Sequence, residues 1–340
     1  MNKSVLTDLC SLDGISGREH AVRNYILDKL NANCVPKDIT VDALGNVIVH
    51  LYGKSPAEKI VLFDAHMDEV GILITGYNSD GTLRFSTVGG INDNALLGQR
   101  VRFGSVNGVI GGKTVHQCSS EEKNATVRTD AMSVDIGTNC RESAEKLIKV
   151  GQWGTFASGI RALSEDFFVG KAMDDRVGCA ILLALAEKQP KRDIWLSFSV
   201  QEEIGLRGAK VVGEAVRPEI AVVIEATTAS DIGDSSEKDS VCCVGSGPVV
   251  SFADKATLYD HDLYKHIRSI AESNGIPTQT KSKIAGGNNA GAIQRSYTGV
   301  RTAAVSLPCR YIHTASGVAC WRDVEALEEL VALLAERLTI

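Results

Sequence analysis

Two apolar rhythms run through the first part of the chain. Between Glu19 and Leu30, residues Val22, Ile26, Leu27 and Leu30 recur at helical spacing and predict the second of two helices that precede the first strands. ALGNVIVHLYG then alternates like a strand after a Gly-Asn turn, and KIVLFDAH is continuously apolar, as a strand covered on both faces is. From Met67 to Ser158 the texture shifts to short alternating runs, GILITGY, TLRFSTV, QRVRFGS and NGVIGGK, broken by glycine at close intervals. These predict a small β-barrel or sandwich-like module, with one short helix at RESAEKLI near its end. Beyond Gly159, strand and helix patterns alternate: FFVGKA, RVGCAILLALAEK, DIWLSFSV, LRGAKVVGEAV and EIAVVIEA. A helix from Asp262 to Asn274, the strand TAAVSLP and a helix from Val324 to Leu338 follow. The order predicts an α/β fold with a mostly parallel sheet and helices on both faces, built from residues 1–66 and 159–340, with 67–158 as an inserted β-rich domain.

With 340 residues, 44% hydrophobic and 23% charged, the chain has enough apolar material for a large core. A formal net charge of -6 argues against a nucleic-acid partner. The longest apolar run, Cys179 to Ala186, falls far short of the roughly 18 to 20 residues of a membrane span, so no membrane partner is expected. The opening MNKSVLTDLCSLDGISGREH mixes charge through what would be the apolar segment of an export signal. Nine cysteines, an odd number with Cys242 and Cys243 adjacent and no CxxC pair, suit reduced thiols in the cytoplasm better than disulfides or a thiolate zinc site.

Acidic residues and histidines fall at the ends of the predicted strands. KIVLFDA leads to His66 and Asp68, FFVGKAM to Asp174 and Asp175, DIWLSFSVQ to Glu202 and Glu203, EIAVVI to Glu225, and TAAVSLPCRYI to His313. In an open α/β sheet, ligands bind beyond the carboxyl ends of the strands, so separate segments deliver these groups to one rim. On an extended segment His66 and Asp68 share a face, which lets the imidazole bind a metal while Asp68 fixes its tautomer. The alternative is a satisfied strand-end histidine. Asp174 and Asp175 stand where a strand turns into a helix near Arg176; they either cap that helix or supply a carboxylate that bridges two cations. Glu202 and Glu203 are expected on an extended segment, pointing opposite ways, so that one ligates metal and its neighbour faces substrate as general base.

The charge balance favours two divalent ions. They bring +4 against -3 from Asp174, Glu203 and Glu225, and one hydroxide closes the balance. With His66 and His313 as neutral end ligands, the mixed nitrogen and oxygen set suits zinc or cobalt. His20, His50, His261 and His266 have no nearby acids and are expected to be solvated or structural, His116 carries no chemistry, and Cys179 and Cys309 are core residues. No G-x-S-x-G elbow and no glycine-rich phosphate loop stands out, which argues against serine hydrolases and nucleotide enzymes.

AHMDEVG, KAMDDRVGCA, VQEEIGLRGA, the acidic strand end at Glu225 and RYIHT, in this order, together with GVIGGKTVH and VDIG in the inserted part, resemble the tetrahedral metallo-aminopeptidases, the deblocking and glutamyl aminopeptidases of bacteria and archaea. The resemblance spans nearly the whole chain. It implies a zinc-exopeptidase-like fold in which His66 and Glu225, or His313 and Glu203, cap two metals, Asp174 bridges them, Glu202 is the general base and Asp68 orients His66. It further implies removal of single residues from the free amino end of short peptides, and homo-oligomers in which the inserted domain makes dimers that build hollow dodecamers. Two positions depart from the family pattern. Glu225 stands where Asp is usual. In AGGNNAGAIQ, Asn289 stands where an acid is usual, which is expected to alter the substrate's surroundings or a subunit contact. A dinuclear deacylase of N-acyl amino acids and a non-catalytic assembly protein are the competing functions.

Overall fold

A computed structural model describes residues 2–233 and 241–339. At its centre the strands Ile194–Ser199, Val61–His66, Ile220–Thr228 and Arg301–Cys309 lie side by side and parallel. Their side chains alternate between two cores, which is why these segments read as unbroken apolar runs. Val61, Phe63 and Ala65 pack with the helices Lys3–Ser11, His20–Asn31, Met173–Ala186, His261–Ser273 and Trp321–Arg337. Leu62, Ala221, Val223 and Ala304 meet the helices Arg207–Val216 and Ala290–Ile293 on the opposite face. Antiparallel strands Val47–Leu51 and Lys37–Val41 extend one edge. At the other edge Val249–Val250 runs antiparallel to Arg301–Cys309, and Gln279–Thr280 lies beyond it.

Tertiary burial rather than intrinsic propensity holds such helices. His261–Ser273 buries Leu263, Ile267 and Ile270, each contributing about 1.5–3 kcal/mol on burial, against tenths of a kcal/mol for most propensity differences. Asp260 caps it by accepting the Leu263 N–H at 2.8 Å. Among the described residues, no helix is long and apolar enough to cross a membrane.

Between the parallel strands Val61–His66 and Ile194–Ser199 the chain makes a closed antiparallel barrel. Its strands, in order around the wall, are Gly71–Tyr77, Leu83–Val88, Ser133–Asp135, Val106–Gly111, Arg100–Phe103 and Trp153–Phe156. Ile72, Ile74, Leu83, Phe103, Ile110 and Val134 fill it, and Ala144 of the helix Arg141–Leu147 packs against them.

One strand lies elsewhere than expected. Phe167–Gly170, from FFVGKA, is no member of the main sheet; it pairs antiparallel with Arg161–Ala162 and Gly317–Cys320 in a separate three-stranded sheet. Its alternating half-buried and buried residues suit a sheet with one covered face, unlike the fully buried central strands. Its Phe168 stacks on Trp321 of the last helix, with centroids 4.0 Å apart.

Where the chain leaves the α/β layer for the barrel and where it returns, Glu69 and Lys171 form a buried ion pair at 2.7 Å. Lys171 Nζ also donates to the Leu12 carbonyl at 2.9 Å and the Thr155 hydroxyl at 3.2 Å. Glu69 accepts from the Gly14 N–H at 3.1 Å and the Thr155 hydroxyl at 2.8 Å. Both crossings are thereby tied to the N-terminal segment and to the last barrel strand.

Candidate active site

The central strands point their carboxyl ends at one cleft, which Asp174, Glu202, Glu203, Glu225 and His313 line, while His66, Asp68 and Asp175 are fully buried behind them. His66 is the last residue of its strand and is fully buried. Asp174 follows the returning strand, after Ala172 at φ 56°, and the regular helix begins only after the non-helical pair Asp174 and Asp175. Glu225 sits inside Ile220–Thr228, opposite Ser306, rather than at the strand end. His313 lies beyond Arg301–Cys309 with φ 60°. Left-handed backbone at Ala172, Gln201 and His313, three non-glycine residues beside the acids, marks local strain of the kind that clusters at functional sites.

Asp174 is the hinge of the arrangement. Its Oδ1 lies 3.3 Å from His66 Nε2 and its Oδ2 lies 3.3 Å from His313 Nε2. Glu225 Oε2 is 3.6 Å from His66 Nε2, and Glu203 Oε1 is 3.1 Å from His313 Nε2. Of three groups of potential ligands, two share Asp174, namely His66, Asp174 and Glu225 on one side and Asp174, Glu203 and His313 on the other; the third joins His66, Glu202 and Glu203. Each imidazole has its second nitrogen tied to a backbone carbonyl, His66 Nδ1 to Asp68 at 3.1 Å and His313 Nδ1 to Gly90 at 2.8 Å. With Nδ1 as donor in both rings, Nε2 is left to face the acids.

Glu202 and Glu203 lie in a turn rather than on an extended segment: the N–H groups of Gly205 and Leu206 both bond the Glu202 carbonyl at 2.9 Å. What fixes the two carboxylates is a pair of buried acids behind them. Glu19 accepts the Gln201 N–H at 3.1 Å, and Asp68 accepts the N–H groups of Glu202 at 3.0 Å and Glu203 at 3.1 Å. The Ser16 hydroxyl donates to Asp68 at 2.6 Å. The Asp68 carboxylate stands 3.4 Å from His66 Nδ1, so it braces the turn as well as the ring. Asp175 is a second brace, accepting the N–H groups of His66 at 3.3 Å and Gly178 at 2.9 Å.

The electrostatics follow from packing several carboxylates out of water. Burial pushes the Glu225 carboxyl up to about 8, against the pull of His66. Burial, reinforced by the charges of Glu225, Glu203 and Asp174, holds Glu202 well above the usual carboxylate range. Asp174 goes the other way, because hydrogen bonds from both imidazoles overcome its burial. Burial disfavours charge on His313, but Asp174 and Glu203 raise it to about 11. His66 is raised likewise by Asp174, Asp68 and Glu225. Glu225 Oε1 is buried with no hydrogen-bond partner.

Asn289 itself does not line the cleft: it is fully buried, next in sequence to the cleft-lining Asn288. Its Nδ2 donates to Asp64 and to the Ser199 hydroxyl, each at 2.8 Å, so the buried carboxylate here belongs to Asp64, and Asn289 serves it as a donor. His50 stacks on Trp195 with centroids 4.4 Å apart and stands 3.6 Å from Asp193, an acid distant in sequence but near in space. Sequence reasoning missed Ser16, Glu19 and Gly90, which act through one or two hydrogen bonds each and leave no periodic or spacing signal.

Residues 45–330 match the family described as M42 glutamyl aminopeptidase. The chain belongs to the M42 family. It is 33% identical to the lysyl aminopeptidase of Pyrococcus furiosus over 335 residues, 96% of this chain and 94% of that protein. Among solved structures, a TET aminopeptidase from a marine sediment Thaumarchaeota archaeon superposes with a TM-score of 0.93 at 29% identity, covering 99% of this chain and 96% of its own. The TET1 peptidase of Pyrococcus horikoshii, which assembles into a tetrahedron or a large octahedral shell, superposes at 0.86 with 32% identity, covering 98% and 99%. As a member of M42 the protein is a peptide hydrolase, an aminopeptidase with a ligand cluster suited to metal.

Proposed function

We propose that this M42 aminopeptidase removes residues one at a time from the free amino end of short peptides, with two divalent ions and a glutamate general base. The observation that carries the reading is Asp174, whose two carboxylate oxygens face two different imidazoles at the same 3.3 Å. The donor set fits the ions: two imidazole nitrogens with three carboxylates suit zinc or cobalt better than magnesium or calcium, and the unpartnered Glu225 Oε1 is a buried acceptor in need of a cation. His66, Asp174 and Glu225 would hold one ion, and Asp174, Glu203 and His313 the other. Bound there, the ions would supply Lewis-acid polarisation of the scissile carbonyl and activation of water.

The chain's own residues do the rest. Glu202, which lies outside those two groups of ligands, takes the proton of the attacking water and passes it to the leaving amine. Asp68 and Glu19 keep that carboxylate in place through the backbone of its turn. The substrate's free amino terminus would bind one of the ions or a neighbouring carboxylate, which favours exopeptidase action over cleavage within a chain. The test is Glu202→Gln: both ions should remain by elemental analysis while kcat falls by about 10²–10⁴-fold. A metal-replete variant with full activity would remove Glu202 from the mechanism. Cleavage of N-acetylated but not free-amine substrates would favour a deacylase instead.

The assembling relative supports a further part of the reading. Residues 67–158 would act as the dimerisation and lid domain, with dimers building a dodecamer that admits only short peptides. No disulfide joins any of the nine cysteines, which supports the reading of a reducing cytoplasm.

A further inference from the structure

Three of the segments that deliver the cluster meet again at a side chain outside the cleft. Arg310 follows the strand Arg301–Cys309 and begins the loop that carries His313. Its Nε and Nη2 donate to Oδ1 and Oδ2 of Asp231, both at 2.7 Å. Asp231 lies just beyond Ile220–Thr228, the strand of Glu225. The guanidinium carbon also stands 5.8 Å from the ring centroid of Phe167, which opens the strand Phe167–Gly170 that leads to Asp174.

The pair is built to hold a position. The Asp231 side chain is 6% exposed and that of Arg310 21%. Asp231 Oδ2 also accepts the Val244 N–H at 2.9 Å. Burial opposes charge on Asp231, but hydrogen bonds from Arg310 and the Val244 N–H overcome it and hold its carboxyl below the usual range. Two parallel N–H···O bonds fix the orientation of both groups, which the point charge of a lysine does not. The loop needs such an anchor. Tyr311 and His313 have left-handed backbone, φ 55° and 60°, a conformation that persists in non-glycine residues only where the surroundings impose it. Arg310 and Val318 close the loop at its base, the N–H of each bonding the other's carbonyl at 2.9 and 3.0 Å. The fork to Asp231 then sets that base against the strand of Glu225.

We infer that Arg310 is a positioning residue: its fork to Asp231 and its contact with Phe167 hold His313 where it can share an ion with Asp174. The inference rests on the two-ion reading above. Its test is zinc binding to the full-length, metal-stripped enzyme by equilibrium dialysis, with urea unfolding alongside. In Arg310→Lys, which keeps the charge and loses the fork, one of two zinc ions should bind about 10- to 100-fold more weakly, the usual effect of disturbing a group behind a metal ligand. The other ion should keep its affinity. His313→Gln should weaken the same ion, and the double variant should lose little beyond His313→Gln alone, because both changes act through one imidazole.

If the fork serves folding alone, Arg310→Lys lowers the urea midpoint and leaves both zinc affinities at their wild-type values, or weakens both ions equally; either result overturns the inference. Full additivity in the double variant overturns it as well. Should Arg310→Lys fail to fold, Asp231→Asn, whose amide oxygen can still accept the Val244 N–H, puts the same question. A wild type that binds no second zinc ion would instead sink the two-ion reading, and the purpose of the clamp with it.

Discussion

Asp64 and Asn289 show how a carboxylate is kept dry without a cation. Burial raises the Asp64 carboxyl, while hydrogen bonds from Ser197, Asn289 and Ser199 oppose that rise. Replacing Asn289 by Asp would swap a donor for a second carboxylate at hydrogen-bonding distance in the same dry site. Asn289→Asp should therefore lower stability by about 3 kcal/mol or more at neutral pH, read from denaturant unfolding. An unchanged midpoint would mean that the site already admits water. At this scale the sequence disclosed the residues that gather in the cluster, and Asp68 behind them, and hid the rest of their support. His66, Asp174, Glu202, Glu203, Glu225 and His313 were legible because chemistry-bearing side chains stand out at the ends of apolar runs. Glu19 and Ser16 were not, because a carboxylate or hydroxyl serving a backbone N–H from a distant segment looks like any surface residue until the chain is folded.

Helices and strands were legible wherever periodicity ran long enough, and partnership was not. His261–Ser273 lies within one residue of its predicted span at each end because Leu263, Ile267 and Ile270 mark one face. Phe167–Gly170 was correctly read as a strand and assigned to the wrong sheet, since an apolar run does not name its neighbour. The cap of His261–Ser273 offers a test at this scale. Hydrogen bonds from Arg301, opposed by burial and aided by the Leu263 N–H, hold the Asp260 carboxyl below its ordinary 3.8. The folded state thus prefers the charged form. The resulting stability is fully present above the unfolded value and is lost as the pH falls through the lower folded one. Asp260→Ala should cost about 1 kcal/mol at pH 7 by urea unfolding. Its deficit should shrink once the pH drops below 3.8; a deficit constant into strong acid would show that the charge contributes nothing.

The whole molecule is an α/β body interrupted by a barrel, and the change of texture after His66 announced that division. The way the two parts are locked together was invisible, because Glu69 and Lys171 are separated by the entire barrel. Lys171→Met removes one partner and leaves Glu69 buried with Arg176 at 3.5 Å as its nearest remaining cation. The loss should be about 3–5 kcal/mol. Native-state hydrogen exchange should find it concentrated at Trp153–Phe156 and the N-terminal segment. A loss below about 1 kcal/mol would reduce the pair to the worth of a surface ion pair.

The Gly90 carbonyl belongs to the excursion that builds the barrel, yet it holds the ring of His313. The inserted part is consequently no detachable accessory. Transplanting a barrel from another member of the family would also transplant the grip on His313, so any shift in how the barrel is seated would be felt in the acid and histidine cluster, with no substitution in the cleft itself.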